Sequence, residues 1–116
     1  MNFGGWHGQR SVSILGEKWD IEFVGEGSDP KLEECGGYCD PSVRKIVVAI
    51  PDEDVMNCMN LDEKQRRTLR HELVHAMAYE SGLDDNSEWA MNEEMTAWAA
   101  NQFQKMVRLF QLAGAM

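Results

Sequence analysis

The stretch from Leu61 to Gly82 constrains this chain more than any other. It reads as one helix of about twenty residues with both ends marked. Asn60 stands before it as an N-cap, with Glu63 three residues later in a capping-box position. Asp62 and Glu63 suit the positive end of the helix dipole, and Gly82 supplies the stop. The rest of the 116-residue chain must be arranged around it, as one domain with a modest core.

Inside this helix lies His71-Glu72-Leu73-Val74-His75. Positions four apart differ by about 40° in azimuth and about 6 Å in rise, so both imidazoles leave one face. Two neutral nitrogens converging there can hold a small cation. Zinc accepts imidazole readily, and a catalytic zinc site keeps one position for water, whose pKa falls toward neutrality when bound. Glu72, about 100° around from His71, is placed to take that water's proton. Hydrolysis of a peptide or other amide is the chemistry this arrangement favours. The competing reading is an amphipathic helix whose two histidines are ordinary side chains.

Upstream, residues 1–10 are glycine-rich without periodicity and read as a flexible lead-in, leaving 11–116 as the domain. Val12 to Leu15 and Trp19 to Val24 form a hairpin around Gly16-Glu17-Lys18, with Trp19, Ile21 and Phe23 alternating onto one face. Pro30 to Cys35 reads as a helical turn and Tyr38-Cys39 as a short strand. Lys45 to Ile50 is the strongest strand, β-branched almost throughout and ended by Pro51. It is a candidate sheet edge for an extended peptide, although so apolar a strand also suits the centre of a sheet.

Downstream, an acidic loop from Leu83 to Asn86 precedes a second long helix, with Ser87 as its cap and an end near Leu112. Ala99, Phe103, Met106, Val107 and Phe110 recur at three- and four-residue spacing and define its buried face. The expected fold class is α+β: a small antiparallel sheet followed by two long helices.

A net charge of −9 excludes a nucleic-acid backbone as the main partner, since phosphates are repelled. No apolar run has the length of a membrane span, and the first residues lack a signal-peptide pattern, so the expected location is the cytoplasm. Three cysteines fit a reducing compartment better than a disulfide framework. Cys35, Cys39 and Cys58 with His7 form a conceivable second zinc site, against which stands the commoner case of inert thiols. Lys64, Arg66, Arg67 and Arg70 read as a charged surface pairing with Asp62 and Glu63. The methionines and tryptophans read as core or as an adaptable contact surface.

Zinc needs a third protein ligand, and Asn92-Glu93-Glu94 is its natural source. With Phe103 as the centre of the buried face, Glu93 falls about 80° away and Glu94 about 180° away. Glu93 is the expected ligand and Glu94 a surface carboxylate favoured near a helix N-terminus.

A motif helix His71-Glu72-Leu73-Val74-His75-Ala76, strands and a Gly37-Tyr38-Cys39-Asp40 turn before it, then Asn92-Glu93-Glu94 and Ala99-Ala100-Asn101, resemble the small zinc metallopeptidase-like proteins of phages and prophages. These are related to the ImmA/IrrE type and to the gluzincins. The resemblance spans roughly residues 37 to 107 and implies a minimal zincin-like fold in a host cytosol, zinc on His71, His75 and Glu93, and Glu72 as general base. The chain departs from larger gluzincins at Ala97, where an acidic residue usually orients the first histidine; Asn101 or a backbone carbonyl is left for that role. No downstream His or Arg offers itself as an oxyanion donor, which leaves Tyr79, otherwise a core aromatic. The expected function is a zinc metallopeptidase acting on a peptide or protein substrate. The alternatives are a non-catalytic zinc-stabilised module that binds a host or phage protein, and a metal-free interaction protein.

Overall fold

The computed structural model describes residues 8–33, 36–50, 61–88 and 92–116. Strands β1 (Gly8–Ile14) and β2 (Glu17–Gly25) form an antiparallel hairpin in which Val12 faces Trp19. Leu15 and Gly16 make the turn with φ of 49° and 90°. Positive φ at both positions gives the two-residue loop whose twist matches a hairpin, and glycine meets that demand without strain. The turn is therefore tighter than Gly16-Glu17-Lys18, and residues 8–10, assigned to the lead-in from sequence, pair with β2.

Two 3-10 turns, Glu26–Ser28 and Pro30–Glu33, lead to β3 (Gly37–Asp40) and β4 (Lys45–Ile50). The strand order is β1-β2-β4-β3, with β4 antiparallel to β3 and parallel to β2. The sheet is thus mixed, not antiparallel as expected. Short hairpins enforce antiparallel neighbours, whereas the long connection from β2 through β3 allows β4 to return alongside β2 in the same direction.

Strand β4 is buried on both faces. Ile46 and Val48 join Trp19, Ile21 and Phe23 in the main core, while Val47 and Ala49 pack with Leu32 on the opposite face. Double burial is what an unbroken apolar run encodes. It also removes β4 as a sheet edge; among the described residues the edge on that side is β3.

Helix α1 (Leu61–Glu80) covers the first face, contributing Leu69, Leu73 and Ala76 to the main core. That i, i+4, i+7 spacing is one helical stripe. Buried Gln65 donates from Nε2 to the Ala49 carbonyl at 3.2 Å, fixing the helix over β4. At the other end the Glu80 carboxylate accepts from Trp19 Nε1 at 2.9 Å and from Arg44. Gly82, at φ 78°, ends the helix as its spacing implies. Arg70 pairs with Glu63 at 2.9 Å, while the expected cap Asn60 lies outside the described residues.

The acidic segment after Gly82 is a short helix, α2 (Leu83–Asn86), with Ser87 extended behind it. Helix α3 (Glu93–Leu112) starts at Asn92, not Ser87: Asn92 Oδ1 accepts from the Met95 N–H at 2.8 Å. Both residues are competent caps, but only Asn92 is followed directly by two acidic residues at the positive end of the dipole. The buried residues of α3 are Thr96 and Ala100. Its expected face is a correction: Phe103 is 64% exposed and Phe110 is 41% exposed. The contact is centred on Ala100, about 60° around from Phe103, and small residues there let α3 approach α1 closely. Among the described residues no helix is long and apolar enough to cross a membrane.

Candidate metal centre

His71 and His75 leave α1 half-buried, facing the first turn of α3. Glu93 is the first residue of that turn, set in place by the Asn92 cap. Its Oε1 lies 3.3 Å from His71 Nε2 and 2.6 Å from His75 Nε2. All three donor atoms fall within 4.8 Å of one another.

Bonds of about 2.0–2.1 Å in a tetrahedral site place donor atoms about 3.3 Å apart. The His71–Glu93 pair has this spacing already. The His75–Glu93 contact has to open by about 0.7 Å to reach it. Glu93 is free to make that adjustment, because its side chain is 72% exposed. Two imidazoles and a carboxylate are a donor set that zinc accepts.

The three residues singled out from sequence are therefore brought together, and Glu94 is exposed outside the cluster. The face used to choose between them was displaced, but the choice of side survives. Glu93 lies seven residues before Ala100, only about 20° from the actual contact line.

Buried Glu72 opens onto a pocket of about 470 Å³ that it shares with His75, Glu93, Tyr79, Asp84 and Cys39. Burial pushes its carboxyl up to about 7; the His71 charge opposes this and the Glu93 charge adds to it. A carboxyl poised there accepts and releases protons near neutral pH.

Cys39 is carried by β3 beside Glu72. Burial, reinforced by Glu72, Asp40 and Asp84, pushes its thiol up to about 12, so it stays neutral and is a poor ligand or nucleophile. Cys35, Cys58 and His7, the other parts of the second zinc site weighed from sequence, lie outside the described residues.

Tyr79 packs as the core aromatic considered for it and also reaches the pocket. Its ring stands edge-on to Trp19, with centroids 6.3 Å apart, and it also lines the pocket. Tyr38 lines it too, but its hydroxyl donates to Asp29 Oδ2 at 2.5 Å. That bond, with burial second, lifts the Tyr38 phenol to about 12. Asn101, considered as an orienter of His71, is exposed two turns beyond Glu93 and takes no part in the cluster.

Sequence reasoning missed Gly37, Tyr38 and Asp84 as pocket residues. Tyr38-Cys39 is the short strand expected from sequence, extended by one residue at each end, but its place as one wall of the pocket has no sequence signal. Asp84 looked like part of a solvated acidic loop. In place, its Oδ1 is buried without a hydrogen-bond partner among the described residues. No spacing rule places residue 84 on the same pocket as residue 72, because the chain reversal at Gly82 brings it there. Comparisons with protein-family models, curated proteins and solved structures found no match.

Proposed function

We propose that this chain is a zinc-dependent metallopeptidase, with His71, His75 and Glu93 as ligands and Glu72 as general base. The observation that carries the reading is the convergence of those three donors, two of which, His75 and Glu93, line the pocket that holds Glu72. When bound, zinc supplies Lewis acidity, activating a water and polarising an amide carbonyl. Glu72 takes a proton from the attacking water and delivers it to the leaving amine. Its burial keeps that proton out of bulk solvent between the two transfers. Strand β3 is the free sheet edge beside the pocket, so an extended peptide adds there as a further strand. The substrate is a peptide or protein segment, and the protein works in the cytoplasm, in keeping with its odd cysteine count.

One observation favours a second reading, a zinc-stabilised module without catalysis. The pocket wall carries Glu72, Asp84 and Glu93 but, among the described residues, no Lys or Arg. Tyr79 is left to stabilise an oxyanion, since the Tyr38 hydroxyl is held by Asp29. Glu72→Gln separates the two. The peptidase reading requires zinc to be retained and cleavage of a mixed peptide pool to fall by about 100-fold or more. If the zinc-loaded wild type cleaves nothing in that pool and a binding partner is recovered equally by both proteins, the second reading stands.

A further inference from the structure

Helix α3 carries the most regular amphipathic pattern in the chain, yet the described chain leaves its apolar stripe largely uncovered. Thr96 and Ala100 are its buried residues, whereas Phe103 and Phe110 stand 64% and 41% exposed. The stripe runs into an apolar groove of about 300 Å³ between the helices, lined in part by Val74, Met77, Leu83, Met95 and Ala99. Met77 at 52% and Leu83 at 37% exposure extend it onto α1 and α2.

We infer that two copies of this chain associate through this surface, α3 against α3 in antiparallel fashion, with Phe110 of each copy entering the groove of the other. The first argument is area. The exposed parts of Phe103, Phe110, Met77, Leu83 and the half-buried Met106 and Val107 amount to on the order of 500 Å² of apolar surface. With roughly 60% of an interface apolar, that corresponds to about 800 Å² per partner, the size of a standard specific contact. A single apolar stripe paired with itself about a two-fold axis is self-complementary and closes at two copies.

The second argument is charge. A chain of net charge −9 repels its own copy except where the contact is uncharged. The stripe meets that condition: its positions and its borders at Gln102, Gln104 and Gln111 carry no charge. Residues 95–116 contain Lys105 and Arg108 and no Asp or Glu, so this segment, which is α3 without Glu93 and Glu94 plus the C-terminal residues, holds +2 and the remainder of the chain −11. Antiparallel pairing lays that positive half against the acidic start of the other copy's α3, which offsets part of the repulsion where the copies meet.

Sedimentation velocity on the zinc-loaded protein tests this between about 1 and 100 µM, the range in which such a contact is populated. The expected species has twice the 13.2 kDa chain mass. Phe103→Glu and, independently, Phe110→Glu should return it to a monomer with unchanged helical circular dichroism and zinc content. Lys105→Gln, on the opposite side of α3, removes one of the two favourable charges without touching the apolar contact, and should weaken the dimer without abolishing it. Wild type that is monomeric throughout overturns the inference, whether the stripe is covered by residues 51–60 or engages a different protein. A dimer that survives both glutamate variants overturns it equally.

Discussion

Gly37 is where the sheet edge, the motif helix and the pocket meet, and replacing it with alanine tests the packing that positions them. A Cβ built on Gly37 lies 2.7 Å from Thr68 Cγ2, 2.8 Å from the Val47 carbonyl oxygen and 3.6 Å from Val48 Cα. The Thr68 methyl sits on a side chain that can turn, but the Val47 oxygen belongs to the central strand and cannot. Restoring an ordinary contact requires β3 to move by about 0.5 Å relative to β4 and α1, a degree of overpacking that costs about 1–3 kcal/mol. Urea unfolding of metal-free protein reads this as a midpoint lowered by about 1 M, at a slope of 1–3 kcal/mol per molar. Thr68→Ser removes the side-chain part of the clash and should recover only a fraction of the loss in the double variant. A loss below about 0.5 kcal/mol, or full recovery with Thr68→Ser, refutes the reasoning about the Val47 oxygen.

Two further outcomes follow from the site. Asn92→Ala removes the cap that starts α3 directly before Glu93, and should cost about 1 kcal/mol in thermal unfolding; the same variant should bind zinc several-fold more weakly in a competitive chelator titration. Burial raises the folded-state Glu72 carboxyl to about 7 from 4.5. Its stabilising contribution is therefore complete below pH 4.5 and lost as pH rises through 7, by about 3 kcal/mol in all. Glu72→Gln removes that dependence, so metal-free variant minus wild type should grow more favourable between pH 5 and pH 8 in urea unfolding. A difference that is flat in pH contradicts the assignment.

The parts of the fold legible in the sequence are those written in local periodicity. Alternation of Trp19, Ile21 and Phe23 marked a strand with one core face, and the run Ile46 to Ile50 marked a strand buried on two. Gly82 marked the end of α1 because a left-handed residue was needed there. What failed depended on non-local choices. The parallel pairing of β2 with β4 is set by where a long crossover returns, and nothing in either strand encodes it. The start of α3 was misplaced because Ser87 and Asn92 are chemically similar caps. Its contact face was misplaced because periodicity reports an apolar stripe without saying what covers it, and α1 takes the small residues Thr96 and Ala100. Of the candidate site, the histidine pair was legible from a four-residue spacing, and Glu93 from its side of α3. The pocket wall from Gly37 to Cys39 and the inward turn of Asp84 arise only from tertiary packing.

The central claim is that His71, His75 and Glu93 bind zinc, and elemental analysis of protein purified without a metal-affinity tag tests it most directly. Wild type and Glu94→Ala should each carry close to one zinc per chain, and Glu93→Ala should carry almost none while keeping its helical content. Absence of zinc from the wild type, with none taken up on addition, contradicts the claim, as does equal zinc in the Glu93 and Glu94 variants.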